Sequence, residues 1–400
     1  MSQNQPHTTT LALFCKVVDN YGDIGICWRL SRQLQAEHGI AVTLWVDDLL
    51  TFQRLCPEIR TDQSQQEIAG IQIRHWAHQE DTFTANDIAD IVIEFFGCDI
   101  PPAYIAAMSQ RSPQPVWLNL EGLTAEEWVE GCHSLPSPHP RYSLTKYFFF
   151  PGFTPKTGGL LFESGIEQRQ SAFIANNGKT DFLKSLGLSE AEIQSELISL
   201  FCYPHAPVAA LFDVWKNSAH PVTCLVPEGV ASEIVSAFLD TPPVRGTMVT
   251  RGALTLRVIP LIPQTVYDQL LWSCDINFVR GEDSFVRAQL AGKPFVWHIY
   301  PQENALHHVK LRAFLKRYTG SLSAQPFWTA NIQNFSLAWN GVTQPSAAEW
   351  KNLWQEMIAA AAQSGISLQW KQEILKHGDL CSNLLQFVAA IQEKTVINAV

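Results

Sequence analysis

Short apolar runs separated by polar joints dominate the first half of the chain. The strand-like runs cover residues 11–18, 41–46, 71–76, 91–96 and 116–120. Between them, residues 24–38, 49–56, 102–111 and 124–131 carry apolar side chains at helical spacing. Near-continuous apolar strands alternating with amphipathic helices predict a mostly parallel sheet covered on both faces. Pro101 and Pro102 fit a helix start, and Thr124 followed by Glu127 fits a capping box.

The rhythm stops between Cys132 and Asn177. Pro136, Pro138 and Pro140 mark a loop, residues 147–150 are strongly aromatic, and Asn176-Asn177-Gly178 is a second break. This span is expected to lead from one domain into the next. Alternation then restarts, with strands predicted at 198–203, 222–226, 254–262, 276–279 and 294–299. Helices are predicted at 208–217, 230–239, 264–273, 284–291 and 303–317, and a tail rich in Trp and Ala adds 347–362, 368–377 and 380–392. The expected domains are residues 1–190, completed by tail helices at 376–400, and residues 191–375. Two α/β domains of this kind predict a cleft lined by the loops that follow their strands, where open sheets bind ligands.

Composition narrows the class. A chain of 400 residues suits two domains of roughly 150–200 residues. With 46% hydrophobic and 16% charged residues it reads as an ordinary globular protein. No apolar run reaches the roughly 18 residues of a membrane span. Residues 1–10 are polar, with no basic stretch before an apolar core, so no signal peptide is expected. A net charge of −10 argues against sequence-independent nucleic-acid binding, which needs Lys and Arg against phosphates. Nine scattered cysteines, none in a C-x-x-C pair, indicate reduced thiols in a cytoplasmic protein.

Candidate chemistry concentrates in strand-to-helix loops. Asp19-Asn20-Tyr21-Gly22-Asp23-Ile24-Gly25 follows the first strand. It is neither a G-x-G-x-x-G nor a P-loop sequence, and its two acids suit a cation or a general base better than a phosphate. Asp23 as the cap of the next helix is the plain structural alternative. In Arg280-Gly281-Glu282-Asp283-Ser284, Gly281 permits an unusual backbone turn. Asp283 and Ser284 are either caps or the start of an anion site in which helix N–H groups and Arg280 hold a diphosphate. Leu261, Pro263, Gln264 and Tyr267 form a third strand-to-helix joint, able to meet the edge and face of a base. Phe201-Cys202-Tyr203-Pro204 and His298-Ile299-Tyr300-Pro301-Gln302 complete the set, with His298 itself read as a satisfied core residue. No H-E-x-x-H, D-x-D or clustered Cys/His spacing supports a metal, and no G-x-S-x-G supports a hydrolase.

Two long stretches carry a resemblance. Lys16-Val17-Val18-Asp19-Asn20-Tyr21-Gly22-Asp23-Ile24-Gly25, and the stretch from Arg280-Gly281-Glu282-Asp283-Ser284-Phe285 to Gly292-Lys293-Pro294-Phe295, are similar to the bacterial elongation factor P arginine rhamnosyltransferases (EarP). Leu44-Trp45-Val46-Asp47-Asp48, Trp117-Leu118-Asn119, Gly158-Gly159-Leu160 and Trp297-His298-Ile299-Tyr300-Pro301-Gln302 extend it over about residues 11–320.

The resemblance implies a GT-B glycosyltransferase: two Rossmann-like domains facing across a cleft, with a helical tail. It implies dTDP-β-L-rhamnose as donor, an arginine of elongation factor P as acceptor, inversion at the sugar, and no metal or other cofactor. Carried onto this chain, Asp23 matches the general base, Asp19 the neighbouring acid and Glu282 the other essential carboxylate. Asn20, Tyr21, Gly22, Ile24 and Gly25 surround the first two acids. Arg280, Gly281, Asp283 and Ser284 match the diphosphate site, and Tyr203, Gln264 and Tyr300 the nucleotide site. Phe201 and Tyr267 match aromatic positions near the base, with Pro263 in the same loop. Leu261 stands where relatives often carry an aromatic. A GT-B transferase using another nucleotide sugar, and a non-catalytic nucleotide- or protein-binding module on the same fold, are the alternatives.

Overall fold

The computed structural model describes residues 8–18, 21–76, 82–322 and 326–398. The chain forms two compact units, Met1–Ser164 with Ile374–Val400, and Gly165–Glu373. The helices Ile166–Ala175 and Gly178–Ser185 therefore belong to the second unit, where residues up to 190 were expected in the first.

The first unit holds strands β1 (Thr10–Cys15), β2 (Ala41–Val46), β3 (Gln65–Ile68), β4 (Ile71–His75), β5 (Ile91–Phe95), β6 (Val116–Leu120), β7 (Pro136–Pro138) and β8 (Thr145–Phe149). They form one sheet in the order β3-β4-β2-β1-β5-β6-β8-β7. It is parallel except at its two ends, where β3 pairs antiparallel with β4 and β7 with β8. Alternate residues of β1 feed two cores. Leu11, Leu13 and Cys15 pack with Ile24, Cys27 and Trp28 of the helix Tyr21–His38. Ala12 and Phe14 pack with Trp45, Trp76 and Tyr104 on the other face. Burial on both faces is why β1 reads as an unbroken apolar run.

The second unit holds β9 (Glu196–Leu200), β10 (Val222–Pro227), β11 (Met248–Arg251), β12 (Leu254–Ile259), β13 (Ile276–Arg280) and β14 (Phe295–His298). Their order is β11-β12-β10-β9-β13-β14, parallel apart from β11. In both sheets the first strand sits where the winding reverses: β1 lies between β2 and β5, and β9 between β10 and β13. Reversal points open the crevice used by ligands in doubly wound sheets.

Several expectations are corrected. The span from Cys132 to Asn177 does run from the edge of the first unit into the second, but it is more ordered than a linker: β7 and β8 end the first sheet, and the helix Ile166–Ala175 already belongs to the second unit. β3 and β11 are only four residues long, with alternate residues exposed, so they lack the continuous apolar signature of the central strands. Thr124 starts no helix. Its hydroxyl donates to Glu126 at 3.0 Å, and the only turn of helix there is Val129–Cys132.

The last helix, Leu380–Asn398, buries Leu380, Cys381, Leu384 and Val388 in the first core. Its entry is bound to the segment after β8: Leu380 N–H donates to the Leu160 carbonyl at 2.8 Å, and Asn383 Nδ2 donates to the Gly158 carbonyl at 3.1 Å. Gly159 holds φ at +74°, and a Cβ there would lie 2.5 Å from the Gly378 carbonyl oxygen. Gly159→Ala thus adds a backbone clash to left-handed strain. It is expected to cost the first unit at least about 2 kcal/mol, measured as a lowered denaturation midpoint.

Candidate functional site

In the first unit the acidic loop leaves β1 at the reversal point, and two of its backbone N–H groups are taken by the protein's own carboxylates. Val17 N–H donates to Asp47 Oδ1 at 2.8 Å, and Val18 N–H donates to Asp23 Oδ2 at 2.7 Å. The helix begins at Tyr21, so Asp23 lies inside its first turn and is not its cap. A carboxylate there is favoured by the positive end of the helix dipole. Asp23 is 9% exposed, held by this bond near the rim of the unit. Tyr21 accepts a hydrogen bond from Arg54 at 3.2 Å, and Gly22 and Gly25 complete the first turns. Ile24 is fully buried in the first core, so its side chain serves packing. Asp19 and Asn20 lie outside the described residues. Phe96, at the neighbouring end of β5, is 45% exposed with φ +55°, a strained setting for an aromatic residue that the sequence did not mark.

The second unit gathers the basic loop. Arg280 ends β13, and Gly281 at φ +63° turns the chain into the helix Asp283–Ala291. The Arg280 guanidinium lies over the rings of Phe201 and Tyr203, at 4.3 and 4.9 Å from their centroids, and donates to the Cys202 carbonyl at 3.1 Å. Cation–π contact and this bond hold a fork of five donors in one orientation. Ser284 Oγ accepts the Arg280 N–H at 3.2 Å and donates to the Arg280 carbonyl, so its hydroxyl braces the turn. The cap position belongs to Glu282, not to Asp283 or Ser284, and its side chain makes no capping bond. Asp283 accepts from Gln264 Nε2 at 3.0 Å, which ties the third loop to the basic one. Tyr267 begins the helix Tyr267–Ser273 with its ring 6.5 Å from that of Phe201, and burial raises its phenol above the ordinary range. Leu261 is half-buried and Pro263 exposed in the loop before it.

The exit of β14 is fixed from two sides. Trp297 donates its indole N–H to the Gly281 carbonyl at 2.7 Å and stacks on Phe285 at 3.9 Å. Asn340 accepts the Ile299 N–H at 3.0 Å and donates to the Trp297 carbonyl at 2.8 Å. These bonds set Tyr300, which is 40% exposed and edge-on to Tyr203 at 5.7 Å. The structure thus brings Phe201, Tyr203, Gln264, Tyr267, Arg280, Gly281, Asp283, Ser284 and Tyr300 to one edge of the second sheet.

A family model for "Elongation-Factor P (EF-P) rhamnosyltransferase EarP" matches residues 11–389. A protein-arginine rhamnosyltransferase of Pseudomonas putida is 46% identical, covering 88% of this chain and 95% of its own. One of Pseudomonas aeruginosa is 42% identical, covering 94% and 98%. The chain belongs to the elongation factor P rhamnosyltransferase family. A solved structure of EarP-mediated arginine glycosylation of translation elongation factor EF-P is 31% identical, with a TM-score of 0.65 and coverage of 96% of this chain and 99% of that one. The fold is GT-B, and the glycotransferase of kitacinnamycin shares it at 11% identity and a TM-score of 0.51, covering 95% of this chain and 98% of that one.

His298 is a buried, satisfied histidine, as its apolar strand suggested. Its partner His205 lies four residues past the Phe201 of the fourth loop and carried no signal of its own. Among the described residues no three His, Cys, Asp or Glu side chains are grouped to hold a metal, and no helix is long and apolar enough to cross a membrane.

Burial first, then the nearby His205, Arg280 and His307, push the His298 pKa down to about 3. In the unfolded chain the same ring takes its proton near 6.5. Between those values the unfolded state binds more protons, so stability falls as pH drops through about 6.5 and continues to fall towards 3. Denaturant titrations are expected to show about 1 kcal/mol of such loss between about pH 7.5 and about pH 5.5, and His298→Asn is expected to lose correspondingly less.

Proposed function

We propose that this chain is an inverting protein-arginine rhamnosyltransferase. It transfers L-rhamnose from dTDP-β-L-rhamnose to an arginine side chain of elongation factor P, in the cytoplasm and without a metal. Family membership supports the reading, and so do the family relatives' own activity and partner. The observation in this chain that carries it is the charge of the two reversal points. The first unit satisfies its loop N–H groups with Asp23 and Asp47, which leaves an acidic loop suited to a cation. The second unit offers Arg280 and a helix start, which suit a diphosphate.

Arginine is a weak nucleophile, because its guanidinium is delocalised and protonated up to a pKa above about 12. In this mechanism Asp19 accepts hydrogen bonds from the guanidinium and turns it. One nitrogen attacks the anomeric carbon from the face opposite the leaving group and forms the C–N bond. Asp23 takes the proton that this nitrogen gives up. The anomeric C–O bond breaks, and its electron pair leaves with dTDP, whose charge is met by Arg280, the first turn of the helix Asp283–Ala291 and Tyr300. Glu282 positions the donor. Phe201 and Tyr267, with the Gln264 amide, hold the base in place of an aromatic at Leu261.

Asp23→Asn keeps an oxygen to accept the Val18 N–H and removes the base. It is expected to lower turnover at least about 100-fold while leaving dTDP affinity unchanged. Unchanged turnover would remove Asp23 from the mechanism. Calorimetric titration is expected to show dTDP binding more tightly than UDP or GDP. Preference for UDP or GDP would point to a transferase with another donor.

A further inference from the structure

Two histidines at the carboxyl edge of the second sheet have no part in the mechanism above. His298 ends β14 and is 1% exposed. His205 lies in the loop after β9, at the surface of the unit. Their Nε2 atoms are 3.0 Å apart. The other nitrogen of His298, Nδ1, accepts the Tyr203 backbone N–H at 3.2 Å.

These contacts determine where the protons sit. An Nδ1 that accepts a backbone N–H carries no proton, so the neutral His298 ring carries its proton on Nε2. That N–H donates to His205 Nε2, which must then be the unprotonated nitrogen of its ring. His205 is left neutral, with its single proton on Nδ1. Protonating His205 on Nε2 would set two N–H groups against each other. No described residue forms a hydrogen bond with His205 Nδ1. The ring is nearly parallel to that of Tyr203, stacked at 6.1 Å and 7°, and Tyr203 in turn carries Arg280 over its face and meets Tyr300 edge-on.

The surroundings suit an anion. The titratable groups acting on His298 from neighbouring elements are all bases: the neutral His205 in the loop after β9, the charged Arg280 at the end of β13, and His307 on the helix Leu306–Tyr318. His308 stands beside His307. Acids also follow strands of this sheet: Glu282 and Asp283 after β13, with Asp283 bonded to Gln264, Glu228 after β10 and Glu303 after β14.

We propose that His205 is a further substrate-binding residue, presenting Nδ1–H as a neutral donor to the diphosphate of the nucleotide sugar, and that His298 is a positioning residue fixing that tautomer. The inference rests on reading the second unit as the donor site. Because the ring is held neutral, its contribution does not change as pH moves through the range where a free histidine titrates. Arg280 supplies fixed charge, and His205 adds one directed hydrogen bond.

The test is calorimetric titration with dTDP-β-L-rhamnose in the absence of acceptor, with thymidine as the control that lacks phosphate. His205→Phe keeps the stack on Tyr203 and loses the donor. It is expected to weaken the nucleotide sugar about tenfold and leave thymidine unchanged. His205→Asn places an amide N–H near the Nδ1 position and is expected to stay within about twofold of wild type. His298→Asn keeps an acceptor for Tyr203 N–H and loses the donor to His205. Its affinity for the nucleotide sugar is expected to become pH-dependent, several-fold tighter at about pH 6 than at about pH 8, where wild type is flat. Equal affinity in His205→Phe, or no rescue by Asn, would overturn the role of His205. A flat profile in His298→Asn would overturn the positioning role. Wild type that binds no dTDP-β-L-rhamnose would instead overturn the donor-site reading itself.

Discussion

Parallel strands cannot be joined by a tight turn, so each sheet sends its chain back through a crossover and collects its strand-to-helix loops along one edge. The rest of the molecule follows from that constraint. β1 and β9 are buried on both faces, which makes most of their residues apolar. Each lies at a reversal of winding, so the loop it feeds opens beside a loop from the other arm of the sheet. What a unit binds is then decided by how those loops satisfy their own backbone.

The two units answer this differently. In the first, the carboxylates of Asp47 and Asp23 accept the N–H groups of Val17 and Val18, so those two donors are already used. In the second, the turn at Gly281 is braced by the Ser284 hydroxyl and by the Trp297 indole, and the guanidinium of Arg280 is laid across two aromatic rings. One fold, used twice, thereby carries an acidic loop in one unit and a basic loop in the other, which is the contrast the proposed function builds on. Rigid bracing of each charged group also lowers the reorganisation that charge movement in the reaction would require.

The central strands and the long helices were legible in the sequence because burial on both faces leaves an unmistakable pattern. The edge strands β3 and β11 were not, since half their residues face solvent and carry no apolar signal. β7 was hidden by Pro136 and Pro138, which an edge strand tolerates and a central one does not. At the sites, motif residues such as Asp23 and Arg280 were found, but their contacts were not. That Asp23 sits inside the helix, that Glu282 takes the cap, and that Ser284 turns its hydroxyl on Arg280 depend on φ and ψ of single residues. His205 was illegible because its meaning comes from a strand 93 residues away.

The central claim is transfer of rhamnose to an arginine of a protein acceptor. Its most direct test is intact-mass and fragment-mass analysis of elongation factor P incubated with dTDP-β-L-rhamnose and this protein. The account predicts the added mass of one deoxyhexose, on a single arginine. An unchanged acceptor mass, with the enzyme folded and the donor bound, would contradict it.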